Sequence, residues 1–142
     1  LISCFIENKQ EKLLESVFTS EEFKKYVIPD VLSDTVHKIP KFMIQEGVSF
    51  YEQGNLIKLN KLTFLKIRED AIKKGLLDWG KAKFVKFVLL HAPDTKDQKD
   101  IGNYGVNIYI DYLGQQFMLF DVGLFKTPNE YRLIYIRGLW KM

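Results

Sequence analysis

Residues 104–112 alternate in character, with Tyr104, Val106, Ile108, Ile110 and Tyr112 pointing one way and Asn107, Tyr109 and Asp111 the other. A period of two sustained over nine residues belongs to an extended strand, not to a helix. Gly114 marks a tight turn into a second strand over 116–125, KTPNE at 126–130 turns the chain again, and residues 131–140 make a third strand. Strands joined by such short turns pair antiparallel in meander order. Residues 84–91 supply a further strand, largely apolar on both faces, and the polar run APDTKDQKDIGN at 92–103 is expected to be a loop.

Ahead of the strands the period is helical. Residues 8–18 place Leu13, Leu14, Val17 and Phe18 on one side and Lys9, Glu11, Lys12 and Glu15 on the other. TSEE at 19–22 has the spacing of a capping box and should start a second helix, kept short by Pro29. Signals conflict across 30–59, which is expected to be irregular or weakly helical. Asn60 can cap a third helix running to about Lys74, with Lys73 and Lys74 complementing the helix dipole and Gly75 suiting a left-handed cap. Helices first and an antiparallel meander last predict an α+β fold, with the N-terminal helices packed on a curved C-terminal sheet. Large apolar groups on both strand faces further predict that the sheet curves around its helices or is covered by another subunit.

The 142 residues form a single domain, 1–142, long enough to bury about two thirds of the surface of the unfolded chain. A net charge of +3, spread over 21 basic and 18 acidic residues, supplies no concentrated field for nucleic acid. One cysteine excludes an internal disulfide and a multi-thiolate zinc site, and His37 and His91 lack ligand spacing, so no metal or cofactor is expected. No apolar run is long enough to span a bilayer.

The opening tetrapeptide LISC resembles a bacterial lipobox. That resemblance implies that Cys4 accepts a diacylglyceryl group and that residues 1–7 are a lipobox remnant and lead-in. The implied address is the cell envelope, lipid-anchored or periplasmic, with the membrane touched only through the lipid. The alternative is a free Cys in an apolar lead-in docked on the core, and a cytoplasmic protein. GLLDWGKAKFVKF (75–87), NIYIDYLGQQFML (107–119) and YRLIYIRGLW (131–140) together resemble small secreted or lipid-anchored proteins of Bacteroidetes-type bacteria. Those proteins in turn resemble the cystatin-like and nuclear-transport-factor-2-like cone folds, which implies a fold and an address but no functional residue.

Uninterrupted alternation places Phe117, Leu119, Asp121, Gly123 and Phe125 on one face with Ile108 and Ile110, joined by Leu133, Tyr135 and Arg137. Asp121, Tyr135 and Arg137 would then cluster on an apolar surface. A carboxylate there needs a satisfying partner or belongs to a ligand pocket. The opposite face, carrying Tyr109, Asp111, Met118, Phe120, Arg132, Ile134, Ile136 and Trp140, has the aromatic and charged mixture of protein interfaces and equally of a helix-covered core. Trp79 is expected to be a packing anchor.

Without Ser/His/Asp, Gly-rich phosphate-binding or Cys/His metal patterns, the expected function is non-enzymatic. It is a binding or accessory domain, envelope-anchored in the lipobox reading, that recognises a protein or an envelope component through its sheet. The expected partner is another protein or a second copy in a homodimer. The alternatives are a small-molecule-binding or isomerase-like enzyme using Asp121 in a cavity, and an immunity or inhibitor protein for a secreted toxin.

Overall fold

In the computed structural model, which describes residues 1–76, 78–93 and 101–142, the chain is α+β. Strands β1 (Lys83–His91), β2 (Gly102–Tyr112), β3 (Gln115–Lys126) and β4 (Tyr131–Lys141) pair antiparallel in the order β1-β2-β3-β4. Leu113 and Gly114, both at positive φ, close the β2–β3 turn, as two-residue hairpins of right-twisted strands require. The buried Thr127 closes the β3–β4 turn, its N–H donating to the Glu130 carbonyl at 2.8 Å. Of the expected 92–103 loop, residues 94–100 lie outside the described residues, and strand β2 already starts at Gly102.

The helical half departs from expectation where long-range packing outweighs local signals. Residues 8–18 are not one helix: α1 (Ile2–Ile6) and α2 (Gln10–Glu15) are separated at Asn8, whose φ is +53°. Beyond α2, Leu133 of β4 donates its N–H to the Ser16 carbonyl at 2.7 Å and accepts the Phe18 N–H at 2.9 Å, so Val17 bridges the edge of the sheet and the helix cannot continue. The Thr19–Glu22 capping box forms as expected at α3 (Ser20–Glu22). Pro29, however, does not end the helix. A π turn (Phe23–Val27) intervenes, with Ile28 N–H bonded back to Phe23, and Pro29 falls in the first turn of α4 (Ile28–Ser33), where a missing N–H is harmless.

Residues 30–59 are largely helical, not irregular: α5 (Lys41–Glu52) is followed by Gly54 at φ +67° and α6 (Asn55–Lys73). Stacking of Tyr51 on Phe23, with ring centroids 4.5 Å apart, ties α5 down, and Gly47 lets the Phe23 ring approach the α5 backbone. Asn60 is therefore no cap. It lies within α6 on the stripe Leu56, Asn60, Phe64, Ile67, Ala71, 3% exposed, and its Nδ2 donates to the Leu56 carbonyl at 3.0 Å and the Ile134 carbonyl of β4 at 2.8 Å. Its Oδ1 has no protein partner. Gly75, at φ +94°, ends α6 as expected, with Leu76 N–H returning to the Ala71 carbonyl at 2.8 Å.

Helix α6 crosses β4, anchored at one end by Asn60 and at the other by Lys74 Nζ, which donates to the Leu139 carbonyl. The core joins Phe5, Leu13 and Val17 of the N-terminal segment to Phe64 and Ile67 of α6 and to Ile110, Phe117, Leu119, Val122 and Leu133 of the sheet. Burial of each such side chain contributes about 1.5–3 kcal/mol. Cys4 packs here at 5% exposure, and Trp79 is buried beside Phe5 with ring centroids 5.2 Å apart, its Nε1 without a protein partner. Strand β1 is the exception to this coverage, because every one of its nine residues is exposed.

Candidate functional site

Strand β3 does not alternate continuously. Ile108 pairs with Leu119 and Val106 with Val122, so Asn107 alone faces the two residues Phe120 and Asp121. This is a bulge, and it leaves an extra backbone N–H without a ladder partner. Asn107 supplies one: its Oδ1 accepts the Asp121 N–H at 2.9 Å. Asp121 adopts φ +49°, a left-handed conformation that Asp tolerates better than most side chains. A further register shift lies between Gly123 and Leu124 opposite β4.

These irregularities reverse the expected facing. Leu119 and Val122 both enter the core, as do Leu133, Ile136 and Leu139 on β4. Asp121, Tyr135 and Arg137 do come together, but on the outer face, away from the helices. Tyr135 donates its hydroxyl to Asp121 Oδ1 at 3.1 Å, and Arg137 Nε lies 2.8 Å from Asp121 Oδ2. The Asp121 carboxylate is mostly covered, at 26% side-chain exposure, whereas Arg137 is 66% exposed and its guanidinium reaches water. Burial, followed by the hydrogen bond and the charge of Asp121, raises the Tyr135 phenol above its ordinary pKa, and Arg137 acts in the opposite direction. The phenol therefore stays protonated and donates.

Two of the residues expected opposite the trio do lie opposite it, on the helix side. Ile136 is buried in the core, and Arg132 turns toward the helices, donating from Nε to Glu22 at 3.0 Å and from a terminal nitrogen to the Val17 carbonyl at 3.2 Å. Tyr109, Met118 and Trp140, expected opposite the trio, instead share the outer face with it. With Lys86 they form one row across all four strands, paired Lys86–Tyr109, Tyr109–Met118 and Met118–Trp140. The Lys86 ammonium sits 5.2 Å from the Tyr109 ring centre, and Trp140, 59% exposed, meets Phe120 edge to face at 6.1 Å.

A second row was not anticipated from the residues themselves. His91, Gly105, Gly123 and Tyr135 pair in succession across the four strands. The rings at its ends lie over its two glycines: a Cβ on Gly105 would stand 2.2 Å from the His91 ring, and one on Gly123 2.4 Å from the Tyr135 ring. Phe120 lies over Gly138 in the same manner. Glycines inside strand-patterned segments mark close approach of another group, and this was the signal in the sequence for His91.

Chemically, the site is a platform of aromatic rings with one exposed guanidinium, and Tyr135 and Arg137 engage its carboxylate. Two clefts lie elsewhere. The larger, about 910 Å³, opens between the π turn and α4 on one side and the His91–Pro93 and Ile101–Asn103 ends of β1 and β2 on the other. The smaller, about 180 Å³, lies between Phe18–Glu21 and the α5–α6 junction. Asp121, Tyr135 and Arg137 line neither. Among the described residues no group of three or more His, Cys, Asp or Glu is placed to hold a metal ion, and no helix is long and apolar enough to cross a membrane. Compared with protein-family models, curated proteins and solved structures, the chain matches none.

Proposed function

We propose that this chain is a non-enzymatic binding domain that recognises a protein or an envelope component through the outer face of its sheet. The observation that carries the reading is the exposed Trp140 at the end of the Lys86–Tyr109–Met118–Trp140 row, on the same sheet face as the exposed Arg137, three residues away on β4. Trp, Tyr and Arg are the side chains that dominate binding energy at protein interfaces. The Asp121 pairing supports recognition over catalysis, since both carboxylate oxygens are already engaged by Tyr135 and Arg137 and the trio lines neither cleft. Helices followed by an antiparallel meander support a further reading of the fold as a cystatin-like or nuclear-transport-factor-2-like cone.

The cell-envelope address is proposed on LISC alone. Cys4 is buried within α1, so a lipid-bearing Cys4 requires α1 to leave the core. The mass of the Cys4-containing peptide, from protein expressed with its native leader, discriminates the lipidated from the free thiol.

Site-specific photo-cross-linking in the native host tests the binding reading. A photoreactive residue at position 140 should give a discrete adduct that disappears on Arg137→Glu. The same group at Leu62, exposed on α6, should not give it. No adduct from position 140, or one indifferent to Arg137, would overturn the proposal.

A further inference from the structure

A separate surface, on the helix side of the sheet, carries a second inference. Phe84, Phe87 and Leu89 of β1 pair with Ile110, Ile108 and Val106, which are core residues, so all three point to the helix side. Yet the helices leave them uncovered, at 52%, 66% and 53% exposure. Val85 and Leu90, the extra residues of two bulges, are 46% and 49% exposed. Since an aromatic side chain has about 150–250 Å² to bury, these five residues leave roughly 500 Å² of surface on one strand. That is more than half of the ~800 Å² that each partner brings to a standard-size interface.

We infer that this strip is the contact between two copies of the chain related by a two-fold axis through Phe87. Three features favour a second copy. First, the charges of the strand point away, because Lys83 pairs with Asp111 and Lys86 with Tyr109 on the outer face. The strip is left uncharged, and an uncharged surface can meet itself without repulsion. Second, Phe87 is the middle residue of nine. Antiparallel copies centred there set Phe87 against the partner's Phe87, Phe84 against the partner's Leu90 and Val85 against the partner's Leu89, with bulk matched along the whole contact. Third, two bulges and two lysines blunt the hydrogen-bonding edge of β1, so side chains make the contact and a strand is not added.

Sedimentation velocity of the full chain over roughly 1–300 μM, the range that resolves micromolar dissociation constants, tests the inference. The expected result is a particle of twice the 16.7 kDa chain mass that dissociates on dilution. Phe87→Glu and Phe87→Lys should each sediment as monomers with unchanged far-ultraviolet circular dichroism, because Phe87 is exposed in the single chain. An equimolar mixture of the two should recover the dimer, since only a two-fold at Phe87 brings the new charges face to face. Leu89→Glu, on the same side of the strand, should also give a monomer and serves as the second variant if a Phe87 variant fails to fold. A wild-type monomer at every concentration, a dimer that survives Phe87→Glu or Leu89→Glu, or a mixture that stays monomeric would each overturn the inference. None of these outcomes touches the outer-face reading, which is read from position 140.

Discussion

Asn107 Oδ1 accepts the Asp121 N–H at 2.9 Å, so a side chain of β2 holds the bulge of β3 that turns Asp121 toward the outer face. Removing the acceptor leaves a partly buried N–H without a partner. Asn107→Ala should therefore lower stability by about 1–2 kcal/mol, read as a shift in the urea midpoint. Asp121→Gly relieves the positive φ and gives up only a partly exposed ion pair, so it should be within about 1 kcal/mol of wild type. Asp121→Val, β-branched at a left-handed position, should cost about 1–3 kcal/mol. Equal stabilities for the Gly and Val variants would show that the backbone there is not left-handed in solution.

Gly123 is the seat of the Tyr135 ring. A methyl group there would stand 2.4–2.7 Å from three ring atoms, so the ring must leave and its hydrogen bond to Asp121 goes with it. Gly123→Ala should destabilise by about 1–3 kcal/mol. Gly138→Ala meets only the edge of Phe120, at 3.0 Å, and should cost less because that ring can pivot toward Trp140. Thermal melts of the two variants side by side check the order.

Arg132 joins the helices to the last strand through Glu22 and the Val17 carbonyl, at 14% side-chain exposure. Its loss strands a half-buried carboxylate and a carbonyl together. Arg132→Leu is expected to lose about 2–3 kcal/mol, whereas Lys73→Leu, which breaks the exposed pair with Glu69, should leave stability essentially unchanged. Chemical denaturation of both variants separates the two contributions.

The Tyr135 phenol is raised in the fold, first by burial and then by Asp121. Folding thus favours its neutral form. The resulting stability is fully present below the unfolded phenol pKa of about 10 and is lost as pH rises through the higher folded value. In a phenolate absorbance titration, the component removed by Tyr135→Phe should titrate above that value in folded protein and return to it in denaturant. Arg137→Gln removes the opposing charge and should push the component higher still. A Tyr135 component that titrates at the free-phenol value in the folded protein would contradict the geometry.

Local chemistry made much of the architecture readable. The meander strands were visible because period-two alternation and turn residues act within a few positions of themselves. The same holds for the Thr19–Glu22 box, the Gly75 cap and the Trp79 anchor. The trio Asp121, Tyr135 and Arg137 was also legible as a neighbourhood, since hairpin pairing brings those positions together whatever their facing.

Only the tertiary structure decided the rest. Asn60 reads locally as a helix cap, yet the Ile134 carbonyl, 74 positions away, gives its amide a buried role in the second turn of α6. Pro29 reads as a stop, yet a π turn carries the helix past it. The face on which Asp121 lies depends on one bulge, whose N–H finds its acceptor on another strand, and a further register shift follows between β3 and β4. Periodicity reports which residues alternate; it is silent about where the alternation slips, because the bond that stabilises a slip joins residues distant in the chain.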